Sequence, residues 1–149
     1  MITIRLATPN DFAAIESCAR DAYAKYVERI GREPAPMVAD FATQIDDGLV
    51  HVAVAADSAL MGFAVFYPQG EAMHLENIAV AGAHQGKGVG KALIAHCEAE
   101  ARQQGLACVE LYTNEKMTEN LSLYPALSYV ETGRGSQDGF DRVFYRKLL

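Results

Sequence analysis

The chain has 149 residues, half of them hydrophobic and 21% charged, with thirteen lysines and arginines against nineteen acids for a net charge of −6. That is enough chain for one hydrophobic core, so residues 1–149 read as a single folded domain rather than a disordered segment. An acidic balance excludes nonspecific nucleic-acid binding, which needs a basic excess to displace counterions from phosphate.

Ile2, Ile4 and Leu6 alternate with polar residues and predict a first strand. Thr8, Pro9 and Asp11 then supply a cap hydroxyl, a proline at the first helical position and an early acid. Phe12, Ile15, Ala19, Ala22, Tyr26 and Ile30 follow at helical spacing, and Gly31 ends the helix. Pro34 and Pro36 mark a loop, because neither has a backbone donor. A short helix over 37–46 is expected, stopped near Gly48. Residues 50–56 and 60–67 predict a hairpin about Asp57 and Ser58. The region 49–67 is the most apolar of the chain, but His51, Asp57 and Ser58 interrupt it and exclude a membrane span.

Leu75 to Val80 is a short aliphatic run and predicts a strand. After it come Gln85, Gly86, Lys87, Gly88, Val89, Gly90 and Lys91, and then Leu93, Ile94, Cys97 and Ala101 at helical spacing, closed by Gly105. Alternate glycines keep side chains away from a ligand, and first-turn amides lack intrahelical partners. Flanked by Lys87 and Lys91, they suit a phosphate or pyrophosphate. The spacing does not fit a dinucleotide loop, and Gly88 stands where a P-loop needs a hydroxyl for magnesium. Cys108 to Tyr112 predicts a strand parallel to 75–80, joined to it by the crossover helix. A short helix over 120–126, capped by Thr118, and a hairpin about Asp138 and Gly139 complete the chain. Cys18, Cys97 and Cys108, odd in number and without metal spacing, read as reduced thiols of a cytoplasmic protein with no metal site. The N-terminus lacks the features of a signal peptide.

Gln85, Gly88 and Gly90, with the strand before them and Asn120, Tyr124 and Tyr129 after, resemble the acetyl-coenzyme A loop and the later motif of the GNAT superfamily of N-acetyltransferases. About half the chain carries the resemblance. It implies an α/β fold with one mixed central sheet of about seven strands flanked by about four helices. It also implies an enzyme that moves an acetyl group from acetyl-coenzyme A to a primary amine by direct attack in a ternary complex. In that resemblance the amides of Gln85, Gly86, Lys87, Gly88, Val89, Gly90 and Lys91 hold the pyrophosphate. The strand edge at Ile78, Ala79 and Val80 pairs with the pantetheine arm, and Asn120 contacts the pantetheine or the phosphate arm. Ser128 stands where the family usually has glycine.

Tyr124 occupies the family's usual general-acid position, one turn after Asn120; a tyrosine in an apolar helix is otherwise core. Alternation places Glu76 on one strand face with Ile78 and Val80, where it serves as general base or pairs with a cross-strand cation. His74 is the second candidate base. In the resemblance the acceptor is read by the end of the first helix, the loop after it and the last hairpin. Tyr23, off the apolar stripe, is free to face a cleft, and Arg29 and Arg32 suit a carboxylate unless they are only a solvated helix end. The expected partner is a small-molecule or peptide amine, with a homodimer left open and no nucleic acid or membrane. The alternatives are a noncatalytic acyl-coenzyme A binding or sensing module and, more weakly, a nucleotide-binding regulator.

Overall fold

The computed structural model describes residues 1–149. Its strands are β1 (Thr3–Leu6), β2 (Val50–Val54), β3 (Leu60–Gln69), β4 (Ala72–Val80), β5 (Cys108–Asn114), β6 (Val130–Gln137) and β7 (Phe140–Leu148). Its helices are α1 (Phe12–Ile30), α2 (Phe41–Asp46), α3 (Val89–Gln103) and α4 (Thr118–Ala126). The seven strands form one sheet in the order β1-β2-β3-β4-β5-β7-β6. Every neighbouring pair is antiparallel except β4 and β5, which run parallel with α3 between them in the chain. This is the mixed α/β sheet with four helices that the sequence predicts.

Apolar residues close each face of the sheet. On one face Ile15, Ala19, Phe41 and Ile45 of α1 and α2 pack on Val52, Phe63 and Val65. On the other, Leu93, Ile94 and Cys97 of α3 and Tyr124 of α4 pack on Ala64, Met73, Leu111 and Val143. Helix α1 ends as predicted, with Gly31 at φ 90° donating to the Val27 carbonyl. Of the predicted stripe Ile15, Ala19 and Tyr26 are buried, joined by Cys18 and Tyr23, whereas Phe12, Ala22 and Ile30 are only half-buried. The expected helix over 37–46 is two pieces. A 3₁₀ turn spans Ala35–Val38, Ala39 is extended, and Asp40 caps α2 through the Thr43 amide.

The sheet is interrupted at one point. Val65 pairs with Asn77 and Phe66 with Leu75, which leaves Glu76 as the extra residue of a β-bulge. Leu75, Ile78 and Val80 pack on the α3 side, whereas Asn77 and Ala79 face α1. The expected alternation therefore fails: the bulge separates Glu76 from Ile78 and Val80 and turns it toward α2, where Gln44 donates to it. β4 pairs with β5 only from Ala72 to Leu75, opposite Cys108 to Leu111. Both strands run on, to Val80 and Asn114, and a gap opens between them.

Helix α4 ends in a Schellman turn: Tyr129 N–H bonds the Tyr124 carbonyl and Ser128 N–H bonds that of Pro125. Ser128 occupies the left-handed position at φ 75°. Serine thus takes a left-handed position that glycine adopts without strain, at a cost of about 1 kcal/mol. Tyr129 is then fixed by Glu98 of α3, whose carboxylate accepts from the Tyr129 hydroxyl at 2.8 Å and from Lys147 at 3.0 Å.

Away from the gap, His51 of β2 stacks on Phe66 and lies 3.1 Å from His96 of α3. Burial, and then repulsion from His96, lowers the His51 pKa from 6.5 to about 4, with Glu100 opposing. A folded state that prefers the neutral ring is favoured above the unfolded pKa and loses that advantage as pH falls. Unfolding free energy is therefore expected to decline between pH 6.5 and about 4, and His51→Phe to flatten that part of the curve. Urea titrations across the window check this, and parallel curves for the two proteins refute it.

Candidate active site

Where β4 and β5 part, their facing edges lose their ladder partners. The Ala81 amide bonds β3 through Met61, so by alternation the backbone of Ala79 also faces β3, while Ile78 and Val80 present theirs to the gap. Two side chains already reach that edge: Tyr23 Oη lies 3.0 Å from the Ile78 carbonyl, and Gln85 Nε2 lies 3.3 Å from that of Val80. Tyr23 also lies 2.7 Å from Asn77 Oδ1, and Asn77 Nδ2 donates to the Pro36 carbonyl at 2.9 Å. Tyr23 thus lines the cleft with its hydroxyl already bonded to the strand rather than free for a ligand. Its buried hydroxyl, held well above the ordinary tyrosine pKa by burial, braces α1 against the open strand.

Two cavities meet here. One is lined by Tyr26, Ile78, Ala79, Val80, Gln85 and Gly90, between α1, α4 and the glycine loop. The other is lined by Pro36, Glu76, Asn77, Tyr112, Phe140 and Arg142, on the far side of the gap. Tyr23, Ile78, Asn120 and Tyr124 border both. Asn120 Nδ2 is anchored on Thr113 Oγ1 at 3.0 Å, and its carbonyl oxygen accepts no hydrogen bond from the protein. The Tyr124 side chain is buried between Tyr129 and Tyr145, with ring centroids 5.8 Å and 5.7 Å away. Its hydroxyl has no protein partner and is not sealed from solvent. Burial pushes this phenol above its ordinary range, so it stays protonated at neutral pH.

The glycine loop lies at the mouth of the first cavity. Gly86 and Gly88 adopt φ 77° and 80°, and a side chain at either would meet no protein atom within 4 Å. No amide from Gly86 to Lys91 makes a hydrogen bond within the protein. Six consecutive free donors, at a helix start whose first turn holds no acid, are what an anion site requires. The Val89 side chain is buried, leaving only its amide for a ligand, while Lys87 and Lys91 are exposed. These residues fit a pyrophosphate.

On the other side of the gap, Glu76 accepts from Gln44 Nε2 at 2.7 Å and from the Tyr67 hydroxyl at 3.0 Å. Burial first, and then this bond, push the Tyr67 phenol up to about 12. His74 lies between the Tyr67 and Tyr112 rings, tilted to both, and burial holds its imidazole below the ordinary value. Glu76, His74 and Tyr67 are thus brought together. The structure places neither Arg29 nor Arg32 in the cleft. Arg29 forks onto Glu119 of α4 and holds that carboxyl down at about 2. Arg32 donates to the Asp138 carbonyl and lies over the Phe140 ring, tying the end of α1 to the β6–β7 turn. Both arginines clamp elements together, which is why they are unavailable.

Four residues escaped the sequence reading: Asn77, Gln44, Tyr67 and Arg142. Two carried a signal. Asn77 is a lone amide in an aliphatic strand, and Arg142 shares the alternation of Phe140 and Phe144, so each is a polar side chain on an apolar face.

A family model described as acetyltransferase (GNAT) family matches residues 13–129. Among solved structures, the chain is similar to the PaiA N-acetyltransferase from Thermoplasma acidophilum in complex with coenzyme A, at 18% identity and TM-score 0.75 over 100% of this chain and 99% of that one. It is also similar to the ribosomal-protein-S18-alanine N-acetyltransferase from Escherichia coli, at 19% identity and TM-score 0.73 over 99% and 94% of the two chains. A GNAT-family acetyltransferase from Listeria monocytogenes aligns at 20% identity and TM-score 0.76 over 99% and 95%. Likeness at these identities is likeness of fold. No curated protein matches the sequence.

The loop geometry has a direct test. Acetyl-coenzyme A at one hundred times Kd is expected to stabilise the fold by about 2.7 kcal/mol, read as a rise in Tm. Gly88→Val is expected to abolish the rise, because a β-branched residue does not hold φ 80° and re-aims the free amides. A folded Gly88→Val protein that binds normally would remove the loop from the site.

Proposed function

Because the chain belongs to the GNAT family of acetyltransferases, matched over 13–129, we propose that it transfers the acetyl group of acetyl-coenzyme A directly to a primary amine within a ternary complex. The observation that carries this reading is the meeting of two cavities at Tyr23, Ile78, Asn120 and Tyr124. Each substrate has its own cavity, and the reacting atoms meet at the shared border.

The residues divide the work by position. The amides from Gly86 to Lys91 hold the pyrophosphate, whereas that of Gln85, expected among them, is bonded to the Gly82 carbonyl. The edge of β4 at Ile78 and Val80 pairs with the pantetheine amides as a further strand would. The free carbonyl of Asn120 accepts from the same arm. The Ile78 amide faces the point where the thioester oxygen gains charge. In the transfer, the amine nitrogen forms a bond to the carbonyl carbon and the carbon–sulfur bond breaks. Glu76, directly or through water, takes the proton the amine gives up, and Tyr124 protonates the departing thiolate. Desolvation that raises the phenol raises a thiolate in the same cleft as well, so donor and acceptor remain matched. Products are an acetylated amine and free coenzyme A thiol.

Arg29 and Lys25 grip Glu119 and hold α4 over α1, which keeps Tyr124 and Asn120 at the border. We further propose that residues 1–149 are one domain acting on a small-molecule or peptide amine in the cytoplasm. The three cysteines are free and buried, as a reducing compartment allows. No helix is long and apolar enough to cross a membrane.

Release of thiol from acetyl-coenzyme A in the presence of an amine panel tests the reaction; binding without turnover would leave only a sensing module. Tyr124→Phe is expected to lower kcat about 10²-fold to 10⁴-fold with the acetyl-coenzyme A Kd nearly unchanged. Loss of binding with kcat intact would make Tyr124 an anchor instead. For Glu76→Gln, the limb of the pH–rate profile that belongs to the base is expected to vanish. An unaltered profile would move that role to His74 or water.

A further inference from the structure

Arg142 is the one buried guanidinium in this protein, and it has no carboxylate partner. Arg5, Arg29, Arg134 and Arg146 pair with Asp11, Glu119, Glu131 and Glu110. Arg20 and Arg102 are exposed, and Arg32 rests on a carbonyl. Arg142, only 9% exposed, donates to the Gln137 side chain alone. Its guanidinium carbon lies 4.2 Å from the Tyr112 ring centroid and 6.0 Å from that of Phe140. Of five donors on the fork, four remain to be used. On its far side lies a depression with Glu110 and Asp138, neither of which forms an ion pair with it.

Its place in the fold gives this charge a use. Arg142 sits opposite Asn114 at the end of β5, where the gap is open, and it lines the cavity on the acceptor side. The other ionised side chain on that lining is Glu76, and both of its oxygens are already bonded by Gln44 and Tyr67. The cleft thus carries an anion near the bulge and an unpaired cation toward β7. An isolated buried charge is unfavourable, and one fixed by aromatic neighbours with its fork unspent is suited to a planar anion.

We propose that Arg142 binds a carboxylate of the acceptor, so that the substrate is a small amine that also carries a carboxylate, with its nitrogen directed to Glu76 and Tyr124. This rests on the reading of the cleft as the acceptor site of an N-acetyltransferase. The carboxylate-reading role moves from Arg29 and Arg32, which are spent on Glu119 and the hairpin, to a residue that faces the cleft. Tyr112 and Phe140 hold the guanidinium in place, so an amide analogue leaves its donors unpaired and is discriminated against.

The test measures thiol release from acetyl-coenzyme A with α-amino acids and straight-chain ω-amino acids, each beside its primary amide. For at least one pair the wild type is expected to favour the acid by about 10-fold to 100-fold in kcat/KM, mainly through KM. Arg142→Gln is expected to bring that ratio near one, and Arg142→Lys to keep part of it. A rise in Tm with acetyl-coenzyme A shows that each variant is folded, and the wild-type comparison stands without them. Equal kcat/KM for acids and amides in the wild type overturns the inference while amine acetylation survives, as does a ratio that Arg142→Gln leaves intact. Acetylation of other amines but of neither acids nor amides overturns this inference alone, and acetylation of no amine at all overturns the transfer reading with it.

Discussion

A strand's backbone groups must bond somewhere, and the edges of β4 and β5 lose each other after Leu75. The bulge at Glu76 accompanies that parting. From it come the free edge at Ile78 and Val80, the gap between the strands and the two cavities that meet there. Because β4 and β5 are parallel, a crossover must follow β4, and the start of α3 lies just beyond the opened end of that strand. An edge for amides and a nest for phosphates therefore stand side by side as consequences of one interruption. Closing the gap with a continuous ladder would remove both cavities while satisfying every backbone group.

The same arrangement lets a chain of net charge −6 accommodate an anionic ligand. Oriented amides and a helix start act over a few ångströms, whereas the field of scattered surface charges is screened within about a Debye length of ~8 Å. Gly86 and Gly88 contribute by conformation: with φ near 80° the loop aims successive N–H groups to one side. Exposed Lys87 and Lys91 add attraction at the rim without entering the core.

How much of this was legible in the sequence depended on whether the signal was local. Periodicity revealed α1 and α3, glycine spacing revealed the loop, and Asp138 with Gly139 revealed the last turn, whose residues take φ 54° and 80°. The bulge was hidden, because it depends on the register between β3 and β4, and strict alternation assigned Glu76 to the wrong face. The partners of Arg29 and Arg32 were hidden for a similar reason. Glu119 and Asp138 lie 90 and 106 positions along the chain from them. At Ser128, where glycine would hold a positive φ without strain, the hydrogen bonds to Tyr124 and Pro125, with Tyr129 anchored on Glu98, outweigh a strain of about 1 kcal/mol.

Polar groups near the gap fall into two kinds, and the distinction is physical. Tyr23 and Asn77 are buried with their principal polar groups bonded, and Glu98 is bonded at both oxygens, so each fixes one element against another and has little left for a ligand. The Tyr124 hydroxyl, the Asn120 carbonyl, the amides from Gly86 to Lys91 and most of the Arg142 fork are left unpaired instead. Orphaned donors and acceptors are rare in folded proteins because each costs about 1 to 3 kcal/mol where water is excluded. Here they avoid that cost by staying reachable from solvent, the loop amides at the surface and the others along the cavities from the β4 edge to β7. Bonding them internally would stabilise the fold and leave nothing to recognise a substrate, so their alignment along a single cleft is the strongest physical reason to place the chemistry there.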